Sequence, residues 1–329
     1  MAVVALIAVT ACSSNDSGSD DDAPTAVAAA SAAVSPPVTA PPDGVVVPLP
    51  KPVLSTVFDA STTSLIALTG DPDAGTELAV YPRGGTARMV PLPEPAAAIT
   101  GDGAGVVYLA ARGGYLRVDV RSGRAENIGV AGEQDTRFTA ITLRGDGRLA
   151  LGSDTGGVYT IAPDGGVDGR IDTFARVDDL AAQGDTVFAL DRSQTSVTTV
   201  RPNGTDTGPA LRAGLGATTM TTDTEGRLLV ADTRGGQLLV YGSDPLMLRQ
   251  QYPVPDAPYG LAGSAALAWV SETATNSVVG YDLGTGIPVE KVRYRTVRQP
   301  NSLAYDDDTG TLYVASGAGD GVQVIETRT

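Results

Sequence analysis

The chain reads as an all-β protein, a seven-bladed β-propeller of four-stranded blades, and three observations carry that reading. A short apolar strand recurs about seven times, the copies keep a spacing near 40 residues, and turns rich in Gly and Asp separate the strands. Taking Ala67, Leu109, Leu151, Ala189, Val230, Val270 and Val314 as equivalent centres, successive copies lie 38 to 44 residues apart. A unit of that length buries only part of its own sheet, so neighbouring sheets must stack, and stacking around an axis closes a disc. Aromatic residues make up 5% of the chain, so the core must be built from Ala, Val, Leu and Thr.

Taken from the N-terminus, residues 2–11 are small and apolar, too short to span a bilayer as a helix, and they end at Val9-Thr10-Ala11-Cys12. That tetrapeptide resembles a bacterial lipobox. The resemblance implies that residues 1–11 are a lipoprotein signal peptide and that Cys12, the single cysteine of the chain, is lipidated. It implies a cell-membrane location on the extracytoplasmic side, with the membrane as a partner through the Cys12 lipid. No Lys or Arg precedes the apolar run, the first being Lys51, which places the true start codon in question. Residues 12–44 are rich in Ser, Ala, Pro and Asp and offer almost no large apolar side chain. They are expected to be a disordered linker; a flexible coil of about 32 residues spans on the order of 30 Å.

The propeller is expected over residues 45–329. Within each repeat an inner strand turns tightly into the recurring strand through Gly101-Asp102-Gly103, Gly145-Asp146-Gly147, Thr224-Glu225-Gly226 or Asp308-Thr309-Gly310. Here Asp accepts from its own backbone and Gly supplies a positive φ. A third strand follows, alternating as a half-buried strand should, as in Leu238-Leu239-Val240-Tyr241. The last repeat reaches its third strand at Val322-Gln323-Val324-Ile325 and has no residues left for a fourth. At the other end, Val46-Val47-Pro48-Leu49-Pro50-Lys51-Pro52 nearly duplicates Met89-Val90-Pro91-Leu92-Pro93-Glu94-Pro95, which closes the first repeat. The N-terminal strand is therefore expected to complete the seventh blade, a role in which its prolines fit an edge position.

The stretch Pro258-Tyr259-Gly260-Leu261-Ala262, followed by Ala268-Trp269-Val270-Ser271-Glu272 and Asn276-Ser277-Val278-Val279-Gly280-Tyr281-Asp282, resembles repeats of the YVTN and NHL type. The next unit, from Pro300-Asn301-Ser302-Leu303 to Val322-Gln323-Val324-Ile325, is similar. The resemblance covers roughly residues 214–327. It implies a superfamily of bacterial surface and periplasmic propellers, mostly binding or scaffold proteins, with calcium-dependent sugar-lactone hydrolases as relatives.

Chemistry is bounded by an absence, since the chain has no histidine. That removes the commonest general base, the Ser-His-Asp arrangement and every His-based metal site. With 38 acidic against 23 basic residues and a net charge of −15, nucleic acid is not an expected partner. Two positions past each strand centre stand Thr69, Ala111, Ser153, Asp191, Asp232, Glu272 and Ser316, so blades four to six each place a carboxylate at one equivalent point. Nearby loops add Asp154, Arg192, Arg234 and Asn276, and the loops between blades add Asp178, Asp179 and Asn301. Two readings stand for this rim. It binds a small polar ligand or a Ca²⁺ ion, or its carboxylates cap the turns that follow them. Arg293, Arg295 and Arg298 form a local basic cluster, read as a solvated edge or as a contact for a partner or an anionic headgroup. Trp269, inside an apolar strand, is expected in the core.

These readings give a non-catalytic binding or scaffold module with no cofactor, its partner an envelope protein or a small polar ligand. The alternative is a calcium-dependent lactonase-like hydrolase acting on sugar lactones.

Overall fold

The computed structural model describes residues 28–327, so the expected signal peptide and Cys12 lie outside the described residues. Seven four-stranded antiparallel sheets succeed one another over residues 53–91, 96–129, 138–172, 179–212, 217–253 and 258–295, with the seventh formed by residues 300–326 and the strand Val45–Val47. Each blade runs from an inner strand at the axis to an outer strand at the rim of the disc. Among the described residues, no helix is long and apolar enough to cross a membrane.

The recurring strand is the second of each blade, and its composition follows from its position. Neighbouring blades cover both of its faces, so it tolerates no alternation, and Leu65, Ile66, Ala67 and Leu68 are all fully buried. The outer strands face water on one side and alternate accordingly. The core consists of layers between blades: Phe188 and Leu190 of blade four pack with Met220, Leu228 and Val230 of blade five. Each such side chain contributes on the order of 1.5 to 3 kcal/mol by leaving water. Trp269 is fully buried and stacks on Tyr294 and on Tyr305 of the next blade, with ring centroids 6.3 and 5.7 Å away.

The turns on one face of the disc form as the sequence predicts. Asp102 Oδ1 accepts the amides of Ala104 at 2.7 Å and Val106 at 3.0 Å. The glycines closing these turns, among them Gly103 and Gly147, take φ of +66° and +82°.

Val45–Val47 completes the seventh blade, pairing antiparallel with Val322–Glu326 so that Val45, Val46 and Val47 face Val324, Gln323 and Val322. Gly44 precedes it at φ +77°, where a Cβ would stand 2.2 Å from the Val324 carbonyl oxygen. A buried amide locks this junction. Gln323 is fully buried, its Nε2 donates to the carbonyls of Asp43 at 2.6 Å and Arg295 at 2.8 Å, and its Oε1 accepts the amide of Val297 at 3.0 Å. The side chain thus joins the N-terminal segment, blade six and blade seven at one point. Asp43 adds an ion pair with Arg295 at 2.7 Å, which holds its carboxyl below the usual range.

The stretch expected as an unfolded linker differs from that expectation over residues 28–44, which lie against the disc. They form no sheet or helix before Val45, and side chains of the propeller satisfy their backbone instead. Small residues allow this, because an Ala- and Ser-rich strand has little bulk to keep it off a surface.

Gln323→Ala leaves the Val297 amide and the Asp43 carbonyl without these hydrogen bonds, while the Arg295 carbonyl keeps the Asp43 amide at 3.1 Å, and each orphaned group costs about 1 to 3 kcal/mol. The variant is expected to lose about 3 kcal/mol in urea unfolding. A loss below about 1 kcal/mol contradicts the junction as described. Deleting residues 43–51 removes the strand itself and is expected to lower the melting temperature of the whole ring.

The channel mouth and its rim

One structural device builds the site. In six blades the inner strand carries a β-bulge at its first turn of pairing, with register shifts at Val53/Ser55, Ala96/Ala98, Phe138/Ala140, Ala217/Thr219, Pro258/Leu261 and Pro300/Ser302. A bulge leaves one residue without a cross-strand partner and re-aims it. The residues released are Leu54, Ala97, Thr139, Thr218, Tyr259 and Asn301, and Asp178 occupies the matching position of blade four, its amide bonded to the Leu190 carbonyl at 2.9 Å. All seven line the central channel, whose cavity is about 560 Å³. Its wall is otherwise rich in hydroxyls, including Thr56, Thr100, Thr142, Thr219 and Ser302.

The predicted rim residues divide into three groups. Asp191, Asp232 and Glu272 are buried at the ends of their strands and bind the protein's own loops. Asp191 Oδ2 accepts the amides of Ala175 and Arg176 at 3.1 and 3.2 Å, and its Oδ1 accepts the Gln194 amide at 3.0 Å and the Ser193 hydroxyl at 2.6 Å. Asp232 accepts the amides of Leu215, Gly216 and Gly235 at 3.0, 2.8 and 2.9 Å. Each therefore ties the loop entering its blade to the turn after its own strand. Gly235 is required there, since a Cβ would stand 1.9 Å from Asp232 Oδ2. Glu272 accepts the Ser277 hydroxyl at 2.6 Å and pairs with Arg293.

The second group faces the channel mouth. Asp178 accepts from Arg176 at 2.8 Å and from the Arg192 amide at 2.9 Å, and Asn301 Oδ1 accepts from Gln299 Nε2 at 3.0 Å. The third group, Arg234 and Asn276, holds residues 28–36: Arg234 Nη2 donates to the Ala28 carbonyl at 2.6 Å and Asn276 Nδ2 to the Pro36 carbonyl at 2.9 Å. Asp154 stands apart in blade three, its amide bonded to the Arg137 carbonyl at 3.1 Å. Among the described residues, no group of three or more His, Cys, Asp or Glu side chains is placed to hold a metal ion.

Of the basic cluster, each arginine has an acidic neighbour. Arg293 bridges Glu272 and Glu290, Arg295 meets Asp43, and Arg298 meets Asp320 at 3.2 Å. The guanidinium of Arg293 is held more firmly protonated than usual by Glu290 and Glu272.

Asp179 is the titratable group that stands out. It lines the channel beside Asp178 and Arg192, and its carboxyl accepts the amides of Met220 at 3.0 Å and Leu180 at 2.9 Å. Loss of water around it pushes its pKa up to about 7, against the pull of those amides and of Arg192. Tyr259, also in the wall, is raised chiefly by loss of water and further by the charge of Asp179, while Arg192 opposes the shift. Tyr259, Gln299 and residues 28–36 escaped the sequence reading. The one signal for Tyr259 is that Pro258-Tyr259 and Pro300-Asn301 open equivalent strands, so Tyr259 shares the position of Asn301.

No family model matches this chain, and no curated protein matches it. Solved structures share its fold. A chain of the Mitotic Checkpoint Complex superposes with a TM-score of 0.73 at 11% identity, covering 99% of both chains. A catalytically inactive histidine-to-alanine variant of virginiamycin B lyase from Staphylococcus aureus with quinupristin gives 0.71 at 12% identity, covering 87% of this chain and 99% of the lyase. A streptogramin B lyase gives 0.68 at 11%, covering 86% and 96%. The class is thereby defined as a seven-bladed β-propeller whose neighbours include lyases and a member of a protein assembly.

A carboxyl whose folded pKa exceeds its unfolded value of 3.8 stabilises the fold while protonated; that contribution is complete below the unfolded value and lost as pH rises through about 7. Asp179→Asn is therefore expected to gain in melting temperature relative to the native chain as pH goes from 5 to 8, by several degrees. Parallel curves for the two proteins contradict the assignment.

Proposed function

We propose that this is a lipid-anchored, extracytoplasmic β-propeller that binds a partner through its channel face and performs no catalysis. The observation that carries the reading is the ring of bulge residues, which gives a wide polar mouth recognition groups, while the three equivalent carboxylates of blades four to six are occupied within the protein. Asp191 and Asp232 are engaged by backbone amides, and Glu272 by Ser277 and Arg293. Reactions of the lyase kind draw no support from the likeness in fold. The virginiamycin B lyase variant lacking one histidine is inactive, and this chain has no histidine to supply. The fold also occurs in the Mitotic Checkpoint Complex, which accords with a platform role. Anchoring rests on Val9-Thr10-Ala11-Cys12.

Thermal melting with calcium and with a chelator tests the reading, because a ligand bound only by the folded state raises its stability. The melting temperature is expected to be the same in both. A calcium-dependent rise that disappears in Asp232→Ala would overturn the reading in favour of a metal-dependent hydrolase. The anchor is checked separately: Cys12→Ala is expected to move the protein from the membrane fraction to the soluble fraction, and retention in the membrane contradicts lipid attachment.

A further inference from the structure

Residues 28–36 lie across the channel face as a bound peptide lies in a groove. Side-chain donors meet the backbone carbonyls of the segment: Arg234 that of Ala28, Arg192 that of Ala30, Gln299 that of Ala33 at 2.9 Å and Asn276 that of Pro36. Ser35 is read on both sides. Its amide donates to Gln299 Oε1 at 3.0 Å, its hydroxyl donates to the Thr273 carbonyl at 2.6 Å, and the Gln299 amide donates to that hydroxyl at 3.0 Å. Ala30 and Ser35 are each 6% exposed, whereas Val34 between them is 92% exposed. Ala30 packs over Gly216, where an added Cβ would stand 2.9 Å from the Ala30 Cβ, so the groove holds the Ala30 methyl against bare backbone.

We infer that this face is a peptide-recognition groove for extended Ala-, Ser- and Pro-rich segments, occupied in this chain by its own residues 28–36, and that its functional occupant is such a segment of a partner protein. The inference rests on the channel face being the binding face. The chemistry that defines the occupant is a run of free backbone carbonyls, a methyl-sized residue at the first pocket and a Ser-Pro pair five residues later. One feature sets the groove apart from a passive resting place: Arg192 Nε and Asn276 Oδ1 are buried without a hydrogen-bond partner. The resident segment thus leaves one donor and one acceptor that a better ligand can engage. Because the segment leads directly into the strand Val45–Val47, it competes at an effective concentration in the millimolar range. A partner must exceed that to enter.

The test uses a fluorescein-labelled peptide with the sequence of residues 28–37 and the full-length protein in detergent, read by fluorescence anisotropy. In Ala30→Arg the larger side chain expels the resident segment. This variant is expected to bind the peptide at least tenfold more tightly than the native chain, and adding Gln299→Ala is expected to lose that gain. Ser35→Arg, which expels the segment at its other pocket, provides an independent release variant. The proposal is overturned if both release variants bind no better than the native chain, or if Gln299→Ala leaves binding unchanged. A dimer of the native chain by light scattering would overturn the partner assignment in favour of segment exchange between copies. The calcium measurement bears on the non-catalytic reading alone, so the two can fail separately.

Discussion

A closed disc of sheets depends on the join between its ends, and here three residues make the join. Val45–Val47 turns the three-stranded C-terminal sheet into a complete blade, and the buried amide of Gln323 fastens it to blade six. Every blade packs only against its neighbours, so an unfastened seventh blade would expose apolar faces on both sides of the gap. The join also has a geometric consequence. The chain preceding Val45 crosses to the edge of blade six, where the Asp43 amide bonds the Arg295 carbonyl at 3.1 Å, and residues 28–36 lie on the channel face beyond that contact.

The second constraint is the bulge that recurs at the start of the inner strands. An unbroken ladder would present the channel with the same side of every strand. Shifting the register by one residue instead points Thr139, Thr218, Tyr259 and Asn301 into the mouth, with Asp178 in the matching place, while the strand beyond remains paired. The bulge therefore separates the two tasks of the inner strand, holding the sheet and presenting a surface. Asp191 and Asp232 serve the same end from below, since by gathering the amides of adjoining loops they fix the frame on which the mouth is built.

Much of this architecture is written in local patterns. Second strands announce themselves as continuous apolar runs because both faces are covered, and the Asp and Gly of the tight turns follow from backbone hydrogen bonding and positive φ. The crossing of Val45–Val47 is legible because its sequence repeats that of another outer strand. The carboxylates of blades four to six stand at equivalent positions in the sequence, and the structure places Asp191 and Asp232 on loop amides, a partnership set by loops too irregular to read from spacing. Residues 28–44 carry no such pattern. Composition speaks to whether a segment can build a core, and these residues cannot, but they need no core when Arg192, Arg234, Asn276 and Gln299 satisfy their carbonyls. Tyr259 and Gln299 gain their roles from the bulge and from a left-handed φ, neither of which has a distinctive sequence signal.

One continuous segment both occupies the channel face and closes the ring. Hydrogen exchange on the intact chain tests that most directly. Val45–Val47 is an outer strand bonded only to Val322–Glu326, so the amides it donates to that strand are predicted to exchange more slowly than those of an unstructured peptide, as is the Ser35 amide that donates to Gln299 Oε1. Exchange of both at the rate of an unstructured peptide would contradict the account.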